Sequence, residues 1–383
     1  MMRRVYCDAN ATTPLAPQVL DAMRPYLLEE FGNASSIHRE GQQARRAVDR
    51  ARETLAEFFH CREAEVVFNS GGTEGDNTAI AGLVRPGDHL ITTAMEHEAV
   101  LRAAERAGAR GAEVTFVAPR ANGVIDPEEI RRALRPATRL ISVMLANNET
   151  GAVQPVEEIG KIAAEAGAFF HIDAVQGAGK VELDVRRFGC HLCSISAHKM
   201  HGPKGVGAMY VRRGTPLEPL VVGGSQERRQ RAGTQNVPGI VGLGKAVELA
   251  MTSLADGTIE RVAALRDRLE AGILEIAGTA GNGIDAPRVA NTTNLRFEHL
   301  EGEALVIALD LKGVAVSGGS ACHSGSTEPS HVLMAMGLDK TAARASLRFS
   351  LLRTATKEDV DRVLQLVPEA VRHLRELAPV ERS

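Results

Sequence analysis

Four short segments carry residue types that could do chemistry. In Ser70-Gly71-Gly72-Thr73-Glu74, glycines between a strand and a helix leave backbone N–H groups at a helix N-terminus, where an anion is favoured. Thr73 adds a hydroxyl donor. The competing reading is a plain tight turn, the commoner fate of a glycine-rich stretch. In His171-Ile172-Asp173-Ala174-Val175-Gln176, a carboxylate stands at the end of an apolar strand. It could pair with a protonated ring nitrogen of a cofactor or cap the next helix; the local pattern does not separate the two. In Ser196-Ala197-His198-Lys199, a lysine lies between a strand end and a glycine-rich turn. Desolvated there, it can form a Schiff base, although most loop lysines are surface groups. Ser196 and His198 are spaced to donate towards one anion. The fourth segment, SGGSACHSGS at residues 317–326, holds one cysteine, Cys322, among small residues. A free cysteine is usually packed and inert; this composition favours a reactive thiol.

Side signals are weaker. Cys190 and Cys193 have the CxxC spacing of redox and zinc sites. They fall in an expected strand, where residues three apart face opposite sides, so neither role is expected. His97 sits at a strand-to-helix junction, where a histidine is usually structural; a flat imidazole could also stack on a cofactor ring. Only eight of the 45 basic residues are lysines, so any lysine chemistry has few candidates.

These segments need a scaffold. Apolar runs at 65–70, 89–93, 113–118, 139–146 and 168–175 read as strands. Helical patterns separate them: 71–84, 97–108 ending at Gly108, a start at Asp126-Pro127, and 156–167. This order implies an α/β fold with a mostly parallel sheet and helices on both faces. Ligands in such sheets bind outside the carboxyl ends of the strands, where Asp173 falls. From residue 237 a long helical stretch runs towards 277 with a dip at Asp256-Gly257. Shorter strands and helices follow, then a terminal helix over 357–377. The expected division is a large domain over 16–254 and a smaller α+β domain made of 1–15 and 255–383.

Bulk properties narrow the class. A length of 383 residues suits two domains. A net charge of −3 gives no electrostatic reason to expect nucleic acid or an anionic membrane as partner. No apolar run reaches the ~18 residues of a membrane span, and MMRRVYCDANATTP lacks the apolar core of a secretory signal. Five scattered cysteines do not form a disulfide framework. A cytoplasmic location is expected. No GxxxxGK[ST] occurs and no GxGxxG follows the early strands, so neither a P-loop nor a dinucleotide site is expected.

In order along nearly the whole chain, DANATTP, FGNASSIH, SGGTEGDN, MEHEAV, NNETG, HIDAVQ, SAHK, GPKG, RAGTQNV, SGGSACHSGSTEPSHVL and SLRFSLLR resemble the cysteine desulfurases of the NifS/IscS type. These belong to the class V aminotransferases, fold-type I enzymes that use pyridoxal 5'-phosphate. The resemblance implies that cofactor and conversion of L-cysteine to L-alanine. The sulfur would pass to Cys322 as a persulfide, for iron–sulfur cluster assembly or another sulfur-acceptor protein. By position, Lys199 resembles the Schiff-base lysine, His97 the imidazole stacked on the ring, Asp173 the partner of the ring nitrogen and Gln176 the donor to the ring hydroxyl. Gly72, Thr73, Ser196 and His198 resemble phosphate ligands, and Thr234 one supplied across a homodimer interface. Arg348 and Asn33 resemble groups that hold the substrate carboxylate, and Asn148 one that contacts ring and substrate. No resident metal is implied, with Cys322 the one residue that a transient iron–sulfur cluster could contact. Ala197, His201 and Gly72 depart from the commoner family residues, and none of them removes a catalytic group. The alternatives are a selenocysteine lyase, which shares fold and cofactor, and another aminotransferase-like enzyme, which would leave Cys322 without a task.

Overall fold

The computed structural model describes residues 3–318 and 328–377. Cys322 therefore lies outside the described residues. The chain opens with β1 (Val5–Tyr6), α1 (Pro17–Leu28) and α2 (Arg39–Phe59). Strands and helices then alternate: β2 (Val66–Asn69), α3 (Gly72–Leu83), β3 (His89–Thr93), α4 (Glu98–Ala109), β4 (Glu113–Val117), α5 (Pro127–Ala133), β5 (Thr138–Met144), α6 (Val156–Glu165) and β6 (Phe169–Asp173). With β7 (Leu192–Ser196) and β8 (Gly207–Val211) they form a seven-stranded sheet of order β2-β8-β7-β6-β5-β3-β4. Pairing from β7 through β4 is parallel, and β8 runs antiparallel to both its neighbours. Every residue of β3, β7 and β8 is buried, as helices on both faces require.

Local chemistry sets several boundaries. Asp126 accepts from the Glu128 amide and Pro127 opens α5, a side-chain cap followed by a preset first turn. Gly108, expected to end α4, lies inside it; the chain reverses at Gly111, whose φ is +97°. The helical stretch from 237 is two helices, α7 (Val237–Ala255) and α8 (Thr258–Leu274), broken at Gly257 with φ +84°. α7 is long and apolar enough to cross a membrane, but more than half of it is buried in the fold, against α1 and α2. In the large sheet, β8 goes unread in the sequence because its run follows directly on a glycine-rich turn.

A second, four-stranded antiparallel sheet has the order β12-β13-β10-β9. Its strands are β9 (Thr279–Gly281), β10 (Thr292–Phe297), β12 (Ser317–Gly318) and β13 (Ser346–Ser350). α9 (Gly302–Leu311), α11 (Lys340–Arg344) and α12 (Lys357–Leu377) pack on this layer, while the buried residues of α10 (His331–Ala335) join the core of the large sheet. β1 pairs with β11 (Val314–Ala315) in parallel. Val5, Leu269, Phe297, Phe349 and Val363 share the core of this layer, while Phe59, Phe170, Ile172 and Leu243 belong to the core of the large sheet.

One buried ion pair secures the segment that leads into α7. Arg52 on α2 donates through both Nη atoms to Glu227, each at 2.8 Å, with side chains 6% and 2% exposed. Glu227 also accepts from the Phe68 amide at 3.1 Å. The pair holds Glu227, Arg228 and Arg229 at φ of 44°, 56° and 68°, a left-handed run that side chains disfavour. Arg52→Met strands the Glu227 carboxylate and is expected to lower the unfolding free energy by about 3–5 kcal/mol. Urea denaturation checks this, and a loss well below that range would contradict the role given to the pair.

Candidate active site

The parallel strands bring their carboxyl ends to one edge. There β2 leads into Ser70–Thr73, β3 into Glu96 and His97, β5 into Asn147–Glu149, β6 into Gln176, and β7 into His198 and Lys199. Lys199 sits in a short 3-10 turn, and its Nζ donates to the carbonyls of Asn10 at 2.6 Å and Ala11 at 2.8 Å. Asp173, buried at the end of β6, accepts from the Val175 amide at 2.9 Å. Burial raises its carboxyl, and the Val175 amide, then His97 and Lys199, draw it only part of the way back, so these groups share one electrostatic environment. His97 caps α4, its Nδ1 accepting from the Ala99 amide at 3.1 Å. That bond leaves the imidazole proton on Nε2.

The turn before α3 forms a cup for an anion. Gly71 has φ +141° and no side chain among the described residues caps the helix, whose first-turn amides have no intrahelical acceptor. A Cβ added at Gly71 would stand 3.4 Å from Ser196 Oγ, and one at Gly72 would meet the Val175 side chain at 2.4 Å. Ser196 thus faces the cup from β7, while Thr73 is exposed at its rim. His198 Nδ1 lies 3.1 Å from Thr12 Oγ1. Burial, then the charges of Lys199 and Lys204, lower its pKa to about 4, so its ring is neutral at pH 7. Thr234 is exposed. Its segment is tied to the cup by Arg231, which donates to Glu74 at 2.9 Å, while Glu74 also accepts from the Ser70 amide at 2.9 Å.

Arg348 on β13 is buried. Its Nη2 pairs with Asp8 at 2.7 Å and its Nη1 donates to the Asn148 carbonyl at 2.9 Å. Its Nε has no partner among the described residues. The backbone of Asn148 is thereby fixed beside Arg348. Asn33 is not brought to Arg348 by any hydrogen bond; it is exposed and its side chain accepts from the Ser35 amide at 2.9 Å. Gln176 donates from Nε2 to the Asn10 carbonyl at 2.9 Å. Sequence reasoning missed Asp8, Asn10 and Lys180. Asp8 and Asn10 lie in the quoted DANATTP segment, but their partners are far away in sequence.

The donor set fits a phosphorylated pyridine aldehyde. An uncapped helix end and two nearby donors suit the phosphate, a buried carboxylate suits a ring nitrogen, and Lys199 supplies the amine. The family profile described as Aminotransferase class-V matches residues 5–363. The chain belongs to the class-V aminotransferase family. Enzymes of this family depend on pyridoxal phosphate. This class-V aminotransferase is 48% identical over 382 residues to "Cysteine desulfurase IscS" of Methanosarcina thermophila, covering 99% of this chain and 94% of that protein. It is 50% identical over 385 residues to the protein of the same name from Anaeromyxobacter dehalogenans, covering 98% and 94%. Among solved structures, "NIFS-LIKE PROTEIN" superposes with a TM-score of 0.89 at 35% identity, covering 97% of this chain and 100% of that one. "SspA in complex with cysteine" does so with 0.81 at 37% identity, covering 91% and 98%.

Behind the site the class-V aminotransferase buries acids. Glu96 accepts from Thr93 Oγ1 at 2.8 Å and the Met144 amide at 2.9 Å, and its Oε2 has no partner among the described residues. Burial raises its carboxyl to about 8. Glu149, raised by burial to about 7, accepts from the Ser330 hydroxyl. His331 Nε2 lies 2.9 Å from the Glu96 carbonyl. Ser330 and His331 thus anchor their segment to the loops that carry His97 and Asn148. Unfolded, Glu96 releases its proton near 4.5; folded, it holds it to about 8. The folded state therefore binds more protons in this window and loses stability as pH rises through it. Relative to wild type, Glu96→Gln is expected to gain stability between pH 5 and 8, by up to about 1.4 kcal/mol per unit. Denaturation midpoints across that range check it, and a constant difference would contradict the raised pKa.

Proposed function

We propose that this class-V aminotransferase is a cysteine desulfurase: it takes sulfur from L-cysteine, leaves L-alanine and passes the sulfur to Cys322 as a persulfide. The observation that carries the reading is the placement of Lys199 Nζ in one environment with Asp173 and His97, beside an uncapped helix end, in a chain whose full-length relatives bear that name. Lys199 would hold the cofactor and, released from it, move the proton at the substrate Cα. Asp173 would keep a proton on the ring nitrogen, His97 would lie over the ring, and Gln176 would donate to its hydroxyl. The Gly72 amide, Thr73, Ser196 and His198 would hold the phosphate, joined by the partner subunit's Thr234. Arg348 and Asn33 would take the substrate carboxylate, with Asn148 touching ring and substrate. When bound, pyridoxal phosphate withdraws electrons from the carbon that carries the amino group.

Sulfur transfer requires a thiolate. Burial raises the thiols of Cys7, Cys190 and Cys61 to about 12 and that of Cys193 well above its usual range. The four described cysteines are therefore poor acceptors, which favours Cys322. Its thiolate would form an S–S bond with the substrate sulfur as the C–S bond breaks, and the carbon left behind would take up a proton as alanine. The persulfide would serve an iron–sulfur scaffold or another sulfur-acceptor protein in the cytoplasm. Phe31, Ile37 and Val222 are 82%, 92% and 79% exposed, apolar side chains that a homodimer would cover. We divide the subunit into 16–254 and a smaller unit of 1–15 with 255–383.

Given L-cysteine and a thiol reductant, the protein is expected to release alanine and sulfide in equal amounts, and Lys199→Ala to lose about 10³-fold in rate. Product analysis checks both. Turnover of other amino acids in place of cysteine, or an active Lys199→Ala, would contradict the assignment.

A further inference from the structure

Lys180 has no task in the reading above, yet it is built into the site. It lies in the turn after β6, and its Nζ donates to Gln176 Oε1 at 2.8 Å and to Asn10 Oδ1 at 2.9 Å. Gln176 Nε2 donates to the Asn10 carbonyl at 2.9 Å, and the same carbonyl receives Lys199 Nζ at 2.6 Å. Lys180, Gln176 and Asn10 thus close a ring of three hydrogen bonds, and the Gln176 amide nitrogen and the Lys199 amine surround one oxygen. Asn10 is itself fixed: its Nδ2 donates to the Asn148 carbonyl at 3.0 Å and Thr292 Oγ1 at 2.9 Å, and its Oδ1 also accepts from Asn291 at 3.1 Å.

The two ends of a glutamine amide have nearly the same shape, so its partners decide which end faces where. A carbonyl oxygen can only accept. The Asn10 carbonyl therefore selects Nε2, and Lys180 Nζ, donating, selects Oε1. With both ends taken, Nε2 keeps one N–H beyond the bond to Asn10. The charged or titratable groups that bear on Lys180 are Lys199 from the turn after β7 and Arg348 from β13, and Lys180 in turn bears on His201. Burial first, then Lys199 and Arg348, hold the Lys180 ammonium well below the usual lysine range. Its two donated bonds need no net charge, because a neutral amine still has two N–H groups.

We propose that Lys180 is a positioning residue that pins Gln176 Oε1, so that the amide N–H and not its carbonyl is presented beside Lys199 to the ring oxygen of the cofactor. This role rests on the reading of the site as one for pyridoxal phosphate. A donor at that oxygen favours its deprotonated form, so losing the donor raises the pH at which the visible band of the bound cofactor changes.

The test is the pH titration of that band in the cofactor-loaded protein, with bound cofactor and the thermal midpoint measured alongside. Lys180→Met and Gln176→Met are each expected to raise the midpoint by about 1 unit, and the double variant no further than Gln176→Met alone. Lys180→Arg, which still donates, is expected to return the midpoint towards wild type and covers the case in which Lys180→Met folds poorly. An unmoved midpoint in Lys180→Met with an intact band, or shifts that add in the double variant, would overturn the role of Lys180 alone. A wild-type protein with no visible band after loading would remove the cofactor reading and this role together.

Discussion

The hydrogen bonds around Asn10 are the constraint on which the site depends. Its backbone carbonyl receives Lys199 from β7's turn and Gln176 from β6's turn, and its side chain bonds to Lys180, Asn148, Asn291 and Thr292. Those partners come from both sheets. Because β1 pairs with β11, the segment that holds Asn10 belongs to the second sheet's layer at one end, while Thr13 bonds the His198 backbone at 2.9 Å at the other. A polar group buried between two layers must find partners or cost about 1–3 kcal/mol. Here that requirement sets the relation between Lys199 and the strand ends.

Electrostatics follow from the same geometry. The carboxyl edge gathers Lys199, Lys180, Arg348 and His97 on the ligand side and Asp173, Glu96 and Glu149 around and behind it. Burial pushes the acids towards their neutral forms, and hydrogen bonds and neighbouring groups draw each of them part of the way back. Asp173 faces Lys199 and His97; Glu149 faces Arg348 and His97. Glu96 has hydrogen-bond donors but no cation among the causes that set its pKa, and it is raised to about 8. All three carboxyls stay raised above the ordinary carboxylate range.

Much of the site was legible because strand ends followed by polar and glycine residues are local signals. Asp173, Ser196, His198, Lys199 and the Gly71-Gly72 turn all stand where an alternating βαβ pattern puts them. The dip at Gly257 marked a real helix break. What could not be read was long-range. Asp8 meets Arg348 across 340 positions and Asn10 meets Lys199 across 189. Lys180 looks like any lysine after a glycine until its two acceptors are seen. β8 follows directly on a glycine-rich turn and goes unread, and its antiparallel course is set by its neighbours rather than by its residues. Cys322, marked by its small-residue surroundings, lies outside the described residues, and its task is a matter of chemistry rather than geometry.

The most direct measurement is mass spectrometry of the Cys322 peptide after the cofactor-loaded protein meets L-cysteine without reductant. A gain of one sulfur atom on Cys322, absent when Lys199 is replaced by alanine, is the result expected if the strand-end site and this thiol form one sulfur-transfer enzyme. Alanine released with Cys322 unmodified, or sulfur found on one of the buried cysteines, would contradict it.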